Sequence, residues 1–256
     1  KFWVERDNTL NELRPKNMNL TEVQFLAIYQ SKIDARQPDK TDVTFSLNHF
    51  AKIMEIKRLN ITTLKQTADN LICKPVHLPD GKGGLYIIPL FNECHVYQDE
   101  ASGEWYVRIE CHPKALPYMF DMKTHYFKYQ LWNALRLNSI NQVRMYEILK
   151  QYEKIGERIV QIDSLKQMLG IDVSQYPVYQ DFKRRVLEPC KQALEENTDI
   201  RYEYVALKKM RKVTSIHFKI FRNKDYQDKL NLDEFIDKND LLDLDPQPDE
   251  APQLDI

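Results

Sequence analysis

Hydrophobic positions along the chain first recur every three to four residues and then every two, and the succession happens twice. In NLTEVQFLAIYQSKIDA, Asn19 is placed to cap a helix, with Glu22 three residues on in a capping-box pattern. Ser46 can cap a second, short helix over LNHFAKIMEI. A third, near NITTLKQTADNLI, sets Ile61, Leu64, Ala68 and Leu71 on one face. Two strand-like runs follow, GLYIIPLFNECHVYQ and GEWYVRIECH, around the polar turn DEASG. In the second run Trp105, Val107, Ile109 and Cys111 alternate with Tyr106, Arg108, Glu110 and His112, the period of a half-buried strand.

The second pass repeats the order. THYFKYQLWNALRLN reads as a connecting helix. Ser139 and Gln142 repeat the capping-box pattern before VRMYEILKQYEKIG. Asp163 starts a short helix, SLKQMLG, that Gly170 can end. A long helix runs from about Val178 to Asn197, with Pro189 expected to bend it. DIRYEYVAL and VTSIHFKIF, joined by KKMRK, close the unit. Three helices followed by a β-hairpin make a winged helix, a variant of helix-turn-helix. The expected fold is therefore α+β, with tandem winged-helix domains at 1–123 and 124–230 and a tail at 231–256. The two halves share little literal sequence, so the duplication rests on element order.

Charge sharpens this picture. Of 38 acids and 37 bases, nine acids and one lysine fall in 231–256, which leaves 29 acids against 36 bases in the body. A basic body suits a polyanionic partner. The acidic, Pro-containing tail reads as disordered, either a solubilising segment, a competitor with nucleic acid for the basic body, or a docking segment. Six glycines in 256 residues argue against an α/β nucleotide-binding fold. No apolar run is long enough to span a bilayer, and no secretory leader is visible at the start. Four scattered cysteines without a CxxC pair suit a reducing cytoplasm.

The candidate chemistry sits in DFKRRVLEPCKQAL, residues 181–194. Three cations lie at the start of a helix, where the helix dipole disfavours them. On a helical wheel Phe182, Val186, Cys190, Ala193 and Pro189 cluster, and Leu187 and Leu194 extend the apolar arc. Arg184, Arg185, Asp181, Glu188 and Lys191 face the other way, and Lys183 lies near the edge. In a helix-turn-helix unit the N-terminal residues of the recognition helix reach base edges, and arginine reads guanine through a bidentate contact. Lys183, Arg184 and Arg185 are thus candidate readers, joined by Gln180 for adenine, Asp181 for cytosine, and Lys191. The next hairpin tip, with Lys208, Lys209, Arg211 and Lys212, is a candidate basic wing. The first unit is less basic. Thr62, Thr63, Lys65 and Gln66 are its candidate DNA contacts, with Lys82 in DGKGG nearby. A unit that mainly makes protein contacts is the other reading.

These residues carry a resemblance. From about 20 to 222 the chain resembles the iteron-binding plasmid replication initiator (Rep) proteins of bacteria, through LWNALRLNSINQVRMYEILKQY, YQDFKRRVLEPCKQALEENTDIRYEY and KKMRKVTSIHFKI. The resemblance implies two winged-helix domains on origin direct repeats, with Lys183 to Arg185 as major-groove readers and Lys208 to Lys212 as the wing. It further implies origin binding by monomers, and repression of the initiator's own gene by homodimers joined through the first domain. Host replication initiator and helicase would be partners, in a bacterial cytoplasm, with no cofactor and no enzymatic step.

Competing chemistry is weakly supported. A nicking initiator needs a His-hydrophobe-His metal pair beside a nucleophilic tyrosine, and no two of the six histidines are spaced by one residue. DGKGG lacks the GxxxxGK[ST] phosphate loop. Cys94–His95 and Cys111–His112 could suggest zinc, but neighbours on a strand point to opposite faces, which favours cysteine as a small core residue. A winged-helix transcription regulator without a replication role remains the main alternative.

Overall fold

The duplicated order of elements is matched by a duplicated sheet topology. The computed structural model describes residues 3–7, 18–33, 41–48, 61–80, 82–117, 126–223 and 226, within the compact body Lys1–Tyr226. The first half holds β1 (Trp3–Asp7), α1 (Leu20–Lys32), β2 (Asp42–Ser46), α2 (Ile61–Cys73), and strands β3 (Pro75–Pro79), β4 (Leu85–Pro89), β5 (Phe91–Gln98) and β6 (Trp105–Cys111). Strand β7 (Tyr126–Gln130) and the short helix α3 (Leu131–Leu135) connect to the second half. There α4 (Ile140–Lys150) is followed by β8 (Glu157–Gln161), α5 (Ile162–Leu169), the long helix α6, β9 (Ile200–Lys209) and β10 (Lys212–Arg222). Each half forms a three-stranded antiparallel sheet with its last strand in the middle, β2–β6–β5 and β8–β10–β9. Each is thus a winged helix: the second runs helix, strand, helix, helix, hairpin, and the first shows helix, strand, helix and hairpin among the described residues. The first adds the β3–β4 hairpin between α2 and β5.

Local sequence explains the helix starts. Asn19 accepts from the Glu22 backbone N–H at 2.9 Å, and Glu22 returns the bond to the Asn19 N–H at 2.9 Å, so both halves of the capping box are made. Ser139 accepts from the Gln142 N–H at 3.3 Å, but Gln142 reaches back to Asn138, one residue early. The α5 cap is Gln161, with Asp163 in the first turn, where its charge suits the dipole, and Gly170 closes the helix at φ 76°.

Both cores are aromatic. Phe25 of α1 packs on Phe45 at 5.5 Å, and Tyr29 meets the edge of Phe91 at 5.0 Å. In the second half Tyr202 meets Phe218 edge-on at 5.4 Å, beneath the buried Phe182, Leu187 and Leu194 of α6.

Long-range pairing departs from the sequence expectation between the halves. The segment read as one connecting helix begins as β7, which pairs antiparallel with β1, Trp3 opposite Gln130 and Val4 opposite Tyr129. Only Leu131–Leu135 is helical before the turn into α4. The chain after the expected boundary at 123 therefore returns to the first strand, and α1 packs against α3 and α4. The run GLYIIPLFNECHVYQ is likewise two strands. Pro89 ends β4, and β5 begins at Phe91 in a different sheet. The short helix expected after Ser46 begins at Leu47 and Asn48, and the rest of it lies outside the described residues, as does the tail.

Helix α4 buries charge as well as apolar surface. Glu147, fully buried, accepts from the Tyr129 hydroxyl at 2.7 Å. The Lys150 ammonium donates to Glu153 at 2.7 Å and to Asp199 at 2.7 Å, and Arg222 at the end of β10 donates to Glu153 at 3.2 Å. Burial alone would raise the Glu153 carboxyl, but Lys150 and Arg222 outweigh it and hold it below the ordinary 4.5. A depressed carboxylate contributes stability above its unfolded pKa and loses it as pH falls through the folded value. Urea unfolding midpoints should therefore fall as pH drops below 4.5. Lys150→Met should cost about 2 kcal/mol at neutral pH, less than a fully buried pair because Asp199 is partly exposed, and should flatten this acid dependence. An unchanged acid slope in the variant would contradict the assignment.

Candidate nucleic-acid interface

The helix-turn-helix of the second half is α5, the turn 171–178 and α6. Helix α6 consists of Tyr179–Phe182, a π-helical turn Lys183–Leu187, and Glu188–Asn197. The π turn has a local cause. Pro189 has no N–H to offer the Arg185 carbonyl, and its ring crowds that carbonyl in a regular α-helix. The Glu188 N–H donates instead to Lys183, five residues back. The expected bend at Pro189 is thus a widened turn, and it improves the packing. In an uninterrupted helix Leu194 would lie about 120° round from Phe182. One extra residue removes about 100° of this and draws Leu187 and Leu194 into the stripe of Phe182, Val186 and Cys190. All five are essentially fully buried. The same shift turns Pro189 out to solvent, away from the apolar cluster where the wheel set it.

The turn before α6 is held by a residue that the sequence did not single out. Lys166 is 4 % exposed, and its ammonium donates to the carbonyls of Val173 at 3.0 Å, Gln175 at 2.7 Å and Tyr176 at 3.1 Å. Its three N–H donors are thereby all used within the protein. The ammonium also lies 5.7 Å over the Phe182 ring. Asp172 accepts from the Ser174 N–H and hydroxyl at the start of the same turn. Tyr176 takes a left-handed φ of 54°. No periodicity could have flagged Lys166, whose partners are backbone atoms.

The cations expected to read DNA are displayed at the start of α6. Arg184 has a side chain 72 % exposed and pairs with Asp181 at 3.0 Å, while Lys183 approaches Glu188 at 3.6 Å. Pairs this exposed are worth little and exchange readily for phosphate or base contacts. Arg185 is exposed and makes no ion pair among the described residues, and Gln180 is exposed beside them. Lys191 faces elsewhere. It pairs with Glu203 of β9 at 2.7 Å and helps to fasten the wing to the helix. Two tyrosines add to this fastening, Tyr202 donating to the Leu187 carbonyl at 2.8 Å and Tyr204 to Glu188 at 2.6 Å. Burial, then the bond to Glu188, pushes the Tyr204 hydroxyl far above its ordinary value, so it stays a donor.

The wing is the β9–β10 hairpin. Lys208, Lys209, Arg211 and Lys212 are exposed around its two-residue tip, with a register shift between Val213 and Ser215. Helix and wing together present basic groups on one module.

The corresponding parts of the first half differ in charge. The tip of its β5–β6 hairpin carries Asp99, Glu100 and Glu104, where the second carries lysine and arginine. On α2 Thr62 is exposed, Lys65 lies 5.2 Å over the Trp105 ring, and Gln66 bonds to Asn70 at 3.3 Å. Thr63 is in the same first turn. Lys82 is exposed in the β3–β4 loop. Cys94 pairs in register with Ile109 and Cys111 with Phe91, so the two ECH triplets are offset along the ladder. Burial pushes the Cys111 thiol up to about 12.

Family models match nearly the whole body. One described as "Initiator Replication protein, WH1" matches residues 3–150, and one described as "Initiator Rep protein, WH2" matches residues 161–220. The first match takes in β7, α3 and α4, in keeping with the β1–β7 pairing. The crystal structure of the RctB domains 2-3 has a similar outline, with 10 % identity and a TM-score of 0.41 over 84 % of this chain and 85 % of that one, a likeness too loose to bear on function. No helix among the described residues is long and apolar enough to cross a membrane.

Proposed function

From the premise that this chain belongs to the initiator replication protein family, with two winged-helix domains, we propose that it starts plasmid replication by binding direct-repeat double-stranded DNA at the origin. The observation that carries this reading is the pairing of exposed Arg184 and Arg185, beside the half-exposed Lys183, with an exposed Lys208–Lys212 wing on one module. The second domain reads sequence. Arg184 and Arg185 contact guanines, Gln180 and Asp181 contact neighbouring bases, and Lys183 and the wing lysines contact phosphate. Lys191 acts from the side, through the wing. The first domain, with its acidic hairpin tip, contributes backbone contacts through Thr62, Thr63, Lys65 and Gln66 and joins two copies into a dimer. That dimer represses the initiator's own gene. The protein is no enzyme and needs no cofactor. It deforms DNA by binding and recruits the host initiator and replicative helicase in a bacterial cytoplasm.

The test is plasmid maintenance. A plasmid carrying this gene and its flanking DNA, without another origin, should yield transformants, and Arg184→Ala with Arg185→Ala should yield none while the protein accumulates normally. Repression of the gene's promoter without plasmid maintenance would identify a regulator instead. Relaxation of supercoiled origin DNA by the purified protein with magnesium or manganese would contradict the non-enzymatic reading.

A further inference from the structure

We propose that Met210 is a wedge that the wing drives into the minor groove, where it unstacks one base step of the bound duplex. The inference rests on the DNA-reading role proposed above and goes beyond it, because phosphate contacts alone require no apolar group at the tip.

Three observations converge on this side chain. Met210 is 96 % exposed, more than any other large hydrophobic residue described. It has a φ of 57°, a left-handed conformation that favours glycine or asparagine. The only other described non-glycine residue with positive φ is Tyr176, whose carbonyl is held by Lys166. Nothing comparable among the described residues holds Met210, and glycine would serve the turn better. A strained, solvent-exposed apolar residue is an outlier that points to a use outside the folded chain.

Its surroundings define that use. Lys208 and Lys209 precede it, and Arg211 and Lys212 follow. An apolar tip between four cations does not suit a protein core or a lipid interior, but it does suit DNA. The cations neutralise the phosphates that line the minor groove, and the flexible, polarisable thioether meets the base edges and π faces beneath. Proteins that kink DNA through this groove insert Phe, Leu, Ile, Met or Pro between base steps. The fastening of β9 to α6 by Tyr202, Tyr204 and the Lys191–Glu203 pair gives the tip a fixed lever. Insertion at one step beside the major-groove contacts would lower the cost of opening an origin without any covalent chemistry.

The experiment uses the full chain and a duplex selected by it from a random library, with 2-aminopurine placed singly at successive steps. Wild-type protein should raise the fluorescence severalfold at one step per site and leave the flanking steps quiet. Met210→Gly, which relieves the backbone strain and should melt no lower than wild type, should abolish that rise while weakening affinity less than about tenfold, since the phosphate contacts remain. Met210→Leu should keep the rise. An unchanged rise with Met210→Gly, or no unstacked step with wild-type protein bound to the selected duplex, overturns the wedge and leaves the DNA-reading role intact. Failure to enrich any duplex overturns both.

Discussion

Replacing Arg184 and Arg185 together by alanine should reduce the preference for the selected site over random duplex about a hundredfold, with almost no change in folding stability. Each guanine-reading arginine is worth about 1–3 kcal/mol of discrimination, and two neighbours need not add fully. Stability should be spared for a structural reason. The Arg184–Asp181 pair is mostly exposed, and Arg185 makes no ion pair among the described residues, so folding loses no buried contact. Arg184→Lys and Arg185→Lys separate charge from geometry. Lysine keeps the phosphate attraction but lacks the planar fork, so discrimination should stay low while non-specific binding recovers. Fluorescence anisotropy against selected and scrambled duplexes measures both. Equal loss on the two duplexes would show that the arginines touch only phosphate.

The second large effect is expected at Lys166. Lys166→Met preserves length and apolar packing on Phe182 but strands the carbonyls of Val173, Gln175 and Tyr176. Leaving such acceptors without a donor costs about 1–3 kcal/mol each when they stay buried. The turn is partly exposed and can open to water, so the expected net loss is about 2–3 kcal/mol, with a fall in thermal midpoint of several degrees. Discrimination should fall as well, because the opened turn no longer fixes the angle at which α6 presents Lys183, Arg184 and Arg185. An alkylammonium ion added to Lys166→Ala should restore part of the discrimination by re-occupying the three carbonyls. A stability loss with discrimination untouched would reduce Lys166 to a packing residue.

Local chemistry made much of the architecture legible. The Asn19 capping box, the Gly170 stop and the basic wing follow from neighbours in sequence, and the structure shows each of them. Topology that depends on distant partners was not legible. YFKYQ alternates as a strand only because WVERD, more than a hundred residues away, supplies its partner. Viewed alone beside LWNAL it reads as helix. DVTFS, PVHLP and ERIVQ are five-residue strands whose signal is too short to stand out, yet ERIVQ completes the wing sheet. The π turn was half legible. Pro189 announced a break, but a straight wheel could not show that the extra residue gathers Leu187 and Leu194 into the core and turns Pro189 outward. In the candidate site the charged surface residues could be read from composition and order. Lys166 could not, because a lysine bonded only to backbone carbonyls leaves no pattern among side chains.

The central claim is that this protein recognises a specific duplex through the second winged helix. Selection from a random duplex library, followed by anisotropy titration of the winner and a scrambled control at near-physiological salt, tests it most directly. The account predicts one enriched site of about two helical turns, bound roughly a thousandfold more tightly than the control and recurring in tandem beside the gene. A library that emerges unenriched, with winner and control bound alike, would contradict it and leave the Lys183–Arg185 triplet as a basic face with no reading role.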